Sequence, residues 1–365
     1  MLSKIQNKLS TFEYYMKASY HKYILNFKQP SGTSRGVLKT KETWFIILEH
    51  EEKQGVGECG ILRGLSADDV PNYEEKLQWV CANIHLGLPN LYAELKAFPS
   101  IQFGLEMAFK SLEANTPFNL FPSEFTQNNK SIPINGLIWM GTDVFMKQQI
   151  KEKIEAGFTC IKMKIGAIDF ETEFALLKSI RKEFSADDIE LRVDANGAFS
   201  EVEVLEKLKR LSDLHLHSIE QPIKAGQVNV MAKLCQETPL PIALDEELIG
   251  VFEGSDKALL LEQIKPQFII LKPSFVGGWQ GSQEWIQYAI NNQIGWWITS
   301  ALESNVGLNA IAQWTYVLKN NNMPQGLGTG SLYTNNFESP LTIKQGSLFY
   351  DETKSWHFNL SALTH

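Results

Sequence analysis

Between residues 159 and 275, five short apolar segments each end in an ionisable side chain. They read CIKMKIG, LRVDANG, HSIEQP, IALDEE and IILKPS, and the charges are Lys164, Asp194, Glu220, Asp245 and Lys272. Successive charges lie 30, 26, 25 and 27 residues apart. That interval holds one strand, one helix and their connections, so the charges mark the ends of consecutive strands in a parallel sheet.

The same rhythm runs from Ser131 to Gly330. IPINGLIW, FTCIKMK, ELRVDAN, LHSIE, PIALD, QFIILK and GWWITS are each followed by a helical pattern, and MPQGLGTG ends the series. Eight such units predict an α/β fold of the (β/α)8 barrel type, with a doubly wound open sheet as the alternative. Upstream, residues 9–27 and 43–50 read as strands, joined by the polar loop KQPSGTSRGVLKTKE. GVGECG, residues 55–60, satisfies G-x-G-x-x-G in form. It follows a charged turn and leads into no amphipathic helix, so it reads as another hairpin strand and not as a dinucleotide loop. Helical pattern fills residues 67–114, and strands followed by helices predict an α+β unit. Residues 115–130, rich in Pro and Asn, read as a linker. The expected division is an α+β domain over 1–120, a barrel over 121–330, and a tail over 331–365 whose strands return to the first domain.

Strand alternation gives the charges a direction. In CIKMKIG, Lys162 and Lys164 share one face while Ile161, Met163 and Ile165 share the other. With the apolar face on the helices, both ammonium groups project into the barrel. The same argument aligns Arg192, Asp194 and Asn196. Barrel enzymes carry their chemistry at these strand ends. Three carboxylates, Asp194, Glu220 and Asp245, cannot share such a site ionised without cations among them. An oxygen-only set on rigid strands suits Mg²⁺ completed by water or substrate oxygens. The alternative is an ion-pair network with Arg192 and the lysines. A lysine base must be largely neutral near pH 7, against a reference pKa of about 10.4, and a neighbouring cation pushes it down. Lys164 with Lys162 beside it fits that role. A metal holding a substrate carboxylate, next to such a base, suits removal of the proton α to the carboxylate.

Composition excludes several other classes. A formal net charge of −8 without a basic run argues against nucleic acid. No run of 18 apolar residues predicts a membrane span, and MLSKIQNKLSTFEYY has no signal-peptide core. Cys59, Cys81, Cys160 and Cys235 lack CxxC spacing and read as buried, reduced thiols of a cytoplasmic protein. His215 and His217 alternate on a short strand, and the seven histidines form no cluster.

KMK at 162–164, DAN at 194–196, EQP at 220–222, DE at 245–246 and LKPS followed by GG resemble the enolase superfamily, and K-x-K with a later strand-end lysine resembles its muconate-lactonising subgroup. The resemblance implies a modified barrel under an α+β cap, made from the N-terminal part and the C-terminal tail. It implies Mg²⁺, with Mn²⁺ able to substitute, on Asp194, Glu220 and Asp245. Lys164 would be the base and Lys272 the cation over the opposite face. SGTSRG (31–36), NGLIW, R-x-D at Arg192, TSALESNVGL (299–308) and QGLGTGSLYTNN (325–336) resemble the o-succinylbenzoate synthase family of menaquinone biosynthesis. That implies loss of water from a small succinyl-hydroxycyclohexadiene carboxylate.

Other expected substrate contacts are Asn196, Ser300, Glu303, Ser34, Arg35 and Arg192. Ser300 and Glu303 face the substrate or serve as a structural cap. Ser34 and Arg35 lie on the family's lid loop, or on a surface turn. Arg192 reads the succinyl carboxylate or holds Asp194. Racemisation of N-acylated amino acids, or epimerisation of dipeptides, is the enzymatic alternative. The Asp-x-Asp that dipeptide epimerases carry at the eighth strand is replaced by Gly326-Leu-Gly-Thr-Gly330. A non-catalytic metal-binding barrel is the other alternative.

Overall fold

The structure, a computed structural model, describes residues 16–33, 36–320 and 323–359. β1 (Lys17–Thr33), β2 (Gly36–His50) and β3 (Lys53–Gly60) form an antiparallel sheet in that order. Its two faces are both covered. Trp44, Ile46 and Leu48 pack on the helices Tyr73–Ala82, Gly87–Glu94 and Pro99–Glu113. Phe45, Ile47 and Val56 face the other way and pack with Val306 and Phe337. This unit, hereafter the cap, is thus fastened by a second apolar face to the remainder of the chain.

GVGECG lies on β3, as the hairpin reading expects. Its glycines let the strand approach the helix Pro99–Glu113 backbone to backbone. A Cβ on Gly57 would fall inside the carbonyl oxygen of Gly104, and one on Gly55 inside that of Ala108.

After β4 (Ser131–Pro133) comes a sheet of seven parallel strands in simple chain order: β5 (Gly136–Ile138), β6 (Cys160–Lys164), β7 (Glu190–Asp194), β8 (Ser218–Glu220), β9 (Ile242–Leu244), β10 (Phe268–Leu271) and β11 (Gly295–Ile298). An open doubly wound sheet would reverse its strand order midway, and this one does not. The eighth position shrinks to two residues. Gln325 bridges Ile134 and Gly326 bridges Thr299, both in parallel. The Gln325 N–H donates to the Pro133 carbonyl and the Gly326 N–H to the Ile298 carbonyl, each at 2.8 Å. These two links join the first and last strands into a modified (β/α)8 barrel. Ile161, Met163, Val193 and Ile219 pack outward in the main apolar core, leaving the alternate positions to the interior.

Three local expectations are corrected. The described residues of the polar stretch 28–42 are not a loop, because β1 runs on to Thr33 and β2 begins at Gly36, the two pairing with a register shift between Asn26 and Ser31. Hairpin pairing satisfies its backbone without apolar side chains. Residues 115–130 are no loose linker: Leu120 and Phe125 are buried, and Gln313 Oε1 accepts from the Leu120 and Phe121 N–H groups. The tail divides. β12 (Leu341–Lys344) pairs with β13 (Ser347–Tyr350) and β13 with β4, whereas Leu332 and Thr334 hydrogen-bond the backbone of β1 and Phe358 meets Phe45.

The strand–helix approach gives a test of the glycine argument. Gly57→Ala should destabilise the protein by about 2–3 kcal/mol, since neither backbone can yield without shifting the cap. A urea midpoint equal to that of the parent protein would refute it.

Candidate active site

Parallel register builds the site from the strands upward. Lys164, Asp194 and Glu220 lie on one row across β6, β7 and β8, and Lys162, Arg192 and Ser218 lie on the row beneath. Asp245 and Lys272 follow directly on β9 and β10. Sheet pairing therefore delivers all five strand-end charges to one end of the barrel.

There they alternate in sign. Lys164 Nζ donates to Asp194 Oδ2 at 2.7 Å and to Asn196 Oδ1 at 2.8 Å. Lys162 lies between Asp194, at 3.2 Å, and Glu220, with which it makes a short ion pair. Lys272 pairs closely with Asp245 and stands 3.5 Å from Glu220 Oε1. The three acids are almost fully buried. Burial opposes ionisation of all three; the lysines outweigh it at Asp194 and Glu220 and hold them below the ordinary carboxylate range, whereas at Asp245 burial prevails over Lys272 and raises the carboxyl well above it. Burial also opposes the charge on Lys162 and Lys272, and the facing carboxylates outweigh it there too, keeping both above the usual lysine value. The ion-pair network and the metal-type donor set are thus built from the same atoms.

Backbone details steer these groups. Asn196 and Gln221, each just past a strand end, adopt left-handed φ values of 44° and 39°. The Gln221 side chain accepts from the Asp245 and Glu247 N–H groups at 3.2 Å, tying the end of β8 to the end of β9. The Asn196 N–H donates to Asp194 Oδ1 at 3.0 Å.

Does this set suit a divalent cation? All donors are carboxylate oxygens, and Glu220 Oε1 is buried with no hydrogen bond. A hard ion such as Mg²⁺ takes such oxygens. Lys162 and Lys272 stand between the acids, and among the described residues no three His, Cys, Asp or Glu side chains are gathered closely enough to hold an ion. The donor chemistry fits, and an ion seated there competes with the ammonium groups for the same lone pairs.

A cavity of about 620 Å³ opens above the row. Lys162, Lys164, Asp194, Asn196, Lys272 and Ser300 line it, while the hairpin residues Lys28, Gln29, Pro30, Ser31 and Leu38 overhang it. Most of the expected residues are therefore brought together. Arg192 is not. Its Nε donates to Glu190 at 2.6 Å, its Nη1 to the Pro324 carbonyl at 2.9 Å, and its guanidinium lies 4.4 Å from the Trp297 ring centre. One row below Asp194, it supports the barrel interior and neither lines the cavity nor holds Asp194. Glu303 is fully buried behind the cavity wall, bonded to Ser274 and Ser300. Ser34 and Arg35 lie outside the described residues. His217 packs against Phe268 and Trp297 at the far end of the barrel.

Asn135, Leu137 and Trp139 also line the cavity, and the Trp139 ring centre is 5.9 Å from Lys164 Nζ. No site reading singled them out. Their alternation in NGLIW was the available signal, the same one that aligned Lys162 with Lys164.

With this geometry in hand, comparison with known proteins is informative. A sequence model of the enolase C-terminal domain-like family matches residues 146–353, more than half of the chain, and one of the MenC N-terminal domain matches residues 15–112. An o-succinylbenzoate synthase of Desulfotalea psychrophila is 46% identical over 91% of this chain and 98% of that one. An N-succinylamino acid racemase of Thermus thermophilus is 34% identical over 75% of each chain. The crystal structure of MenC from Desulfotalea psychrophila superposes with a TM-score of 0.81 at 42% identity, covering 92% of this chain and 99% of that one. The alternating charges at the barrel's strand ends, under a cap of matching family, are those of a member of the enolase superfamily, and this chain belongs to it.

Proposed function

We propose that this chain is an o-succinylbenzoate synthase, a hydro-lyase of menaquinone biosynthesis. It converts 2-succinyl-6-hydroxy-2,4-cyclohexadiene-1-carboxylate into 2-succinylbenzoate and water. One observation carries the reading: Lys164 and Lys272 line a single cavity beside buried acids, in a chain 46% identical to a synthase over nearly its whole length.

In this reading Lys164, in its neutral form, takes the proton from the ring carbon bearing the carboxylate. The electron pair released forms the new ring double bond as the carbon–oxygen bond to the hydroxyl breaks. Lys164, now an ammonium, returns the proton to the departing oxygen, which leaves as water. Asp194 and Asn196 aim the Lys164 Nζ. Lys272 stays charged and steadies the negative charge from the other side, in keeping with its raised pKa. Asp194, Glu220 and Asp245 would hold Mg²⁺, or Mn²⁺ with its similar oxygen preference, which when bound supplies positive charge for the substrate carboxylate. Aromatisation supplies the driving force, so the protein's task is positioning and charge stabilisation. Asn196 and Ser300 line the cavity and are assigned to substrate contact. Ser34 and Arg35, which lie outside the described residues, are assigned to the lid on the sequence resemblance.

We place the enzyme in a cytoplasm; its four cysteines are free thiols, and no helix among the described residues is long and apolar enough to cross a membrane. A second activity, racemisation of N-succinyl amino acids, is favoured by the 34% identity to a racemase of that class. Two lysines on one cavity also suit removal of a proton from one face and return to the other.

Three measurements test these assignments. Purified protein with Mg²⁺ should aromatise the cyclohexadiene, followed by absorbance; deuterium exchange into N-succinyl amino acids without dehydration would make racemisation the main activity. Lys164→Ala should lower kcat by about 10³-fold or more, on the scale of losing an activated base together with its positioning. Turnover within tenfold of the parent protein would remove Lys164 from the base role. Chelation should abolish turnover and added Mg²⁺ restore it, whereas activity in excess chelator would exclude the metal assignment.

A further inference from the structure

Besides its apolar face, the cap makes a polar contact with the barrel at the turn that carries Lys272. Lys272 follows β10 and opens the short helical turn Pro273–Val276, its carbonyl accepting the Phe275 N–H at 2.8 Å. Phe275 lines the cavity, and its ring centre lies 5.9 Å from Lys272 Nζ. Gly277 and Gly278, with φ values of 90° and 69°, swing the chain into the helix Gly278–Asn291. That helix packs back on the turn, since a Cβ on Gly281 would fall inside the Val276 carbonyl oxygen.

The cap helix Pro99–Glu113 presents Glu106, buried, to the start of that helix. Glu106 Oε2 accepts from the Trp279 N–H at 2.5 Å, and Oε1 accepts from the Gln280 N–H at 3.0 Å. These are N–H groups that a helix leaves unpaired at its N-terminus, and the helix's own capping residue, Gly277, has no side chain to serve them. A Cβ on Gly278 would fall inside Glu106 Oε2, so the glycine lets the carboxyl approach. Burial pushes that carboxyl up to about 8 against the pull of the two N–H groups. The contact does not depend on a full charge, because each oxygen keeps a lone pair in either protonation state. Other cap residues fix the same turn. Tyr92 donates to the Gly277 carbonyl at 2.5 Å, Gln102 Nε2 donates to the Tyr92 carbonyl at 2.9 Å, and Phe103 packs edge-on against Trp279.

The consequence reaches the chemistry through the backbone. Glu106 does not line the cavity. Between it and Lys272, the Gly281 N–H donates to the Gly277 carbonyl at 2.9 Å and the Pro273–Val276 turn is closed by its own hydrogen bond. Sheet pairing fixes the Lys272 end of this stretch, and the cap fixes the other. Without the two acceptors, buried N–H groups at the helix start would be left unpaired, and the helix would have to shift to satisfy them. A displacement of about 1 Å at a positioned group costs roughly 10²-fold in rate.

We propose that Glu106 is a positioning residue for the dehydration site: by closing the N-terminus of the helix Gly278–Asn291 it sets the Pro273–Val276 turn, and with it Lys272 and Phe275, without touching substrate. This rests on the synthase reading above, in which Lys272 steadies the anion. It makes docking of the cap a condition for placing the second lysine.

The test compares Glu106→Leu, which removes both acceptors, with Glu106→Gln, which keeps one and turns an amide NH2 toward the other N–H. Each is checked for fold by circular dichroism and assayed with Mg²⁺ well below its melting temperature. Lys272 acts on charge that develops in the transition state, so Glu106→Leu should lower kcat at least tenfold with KM within threefold. Glu106→Gln should fall between, at least threefold slower than the parent and at least threefold faster than Glu106→Leu. A merely structural role would lower Tm and leave kcat of the folded protein near that of the parent. A smaller loss, a larger change in KM, or a Gln variant outside that interval overturns the proposal. If Glu106→Leu does not fold, Glu106→Gln decides: kcat at least threefold down with KM within threefold supports the proposal, and any other result, unfolding included, overturns it. Parent turnover of the cyclohexadiene is the control for the synthase reading. If that is nil while N-succinyl amino acids exchange deuterium, the synthase reading falls and the clasp is tested on exchange. Glu106→Leu, or Glu106→Gln in its place, should then slow the enantiomer whose exchange Lys272→Ala abolishes at least fivefold more than its mirror image, and a smaller difference overturns the proposal. If neither reaction runs, both fall.

Discussion

Six charges alternate in sign along the strand ends: Lys164, Asp194, Lys162, Glu220, Lys272 and Asp245. None could be buried alone, because removing one ion from water without a partner disfavours it by several kcal/mol. Each is therefore stable only in the company of its neighbours, and those neighbours come from different strands. The register that puts Lys164 opposite Asp194, and Asp194 opposite Glu220, is at once a condition for folding and the geometry of the site. A slip of one residue would turn every one of these groups toward the helices. In this barrel the constraint on chemistry and the constraint on structure are the same.

The cap completes what the barrel leaves open. Its sheet is sandwiched, one face on its own helices and one on the barrel helix Asn305–Val317, so it cannot leave without exposing Phe45, Ile47 and Val56. Its long hairpin overhangs the cavity, and Glu58 reaches across to the helix N-terminus. Tyr92 and Glu106 make a further crossing: Tyr92 donates to the Gly277 carbonyl at 2.5 Å, and Glu106 accepts from the Trp279 and Gln280 N–H groups. That clasp holds the turn that follows Lys272. The cap thus grips the barrel at the loops after its sixth and seventh strands, where the cavity needs a wall.

The legible and illegible parts of the sequence differ for physical reasons. Alternation within KMK and R-x-D correctly assigned the inward face, because side-chain direction in a strand depends only on parity. Parity does not give depth. Arg192 points inward as expected, but it sits a row beneath Asp194 and is spent on Glu190, Pro324 and Trp297. Glu303, next to the cavity in sequence, turns away from it to join Ser274 and Ser300. The polar hairpin read as a loop because its strands owe their stability to backbone pairing, not to apolar side chains. The eighth strand, only Gln325 and Gly326, is too short to carry a periodic signal. Glu58 lies 246 residues from Ser304, whose N–H it accepts at the helix start, and no local pattern links the two.

What the chain determined by itself was the order of strands and charges: apolar segments of strand length, a helix between each pair, and an ionisable residue at each end. Those are local properties, set by periodicity and by the cost of burying charge. Tertiary structure decided which charges meet, which inward residues reach the cavity, and how the cap is locked over it. Those outcomes depend on depth within the barrel and on contacts between segments distant in sequence. Such contacts form only when the ring has closed and the cap has docked, because only then are the buried carboxylates and ammonium groups near enough to neutralise one another.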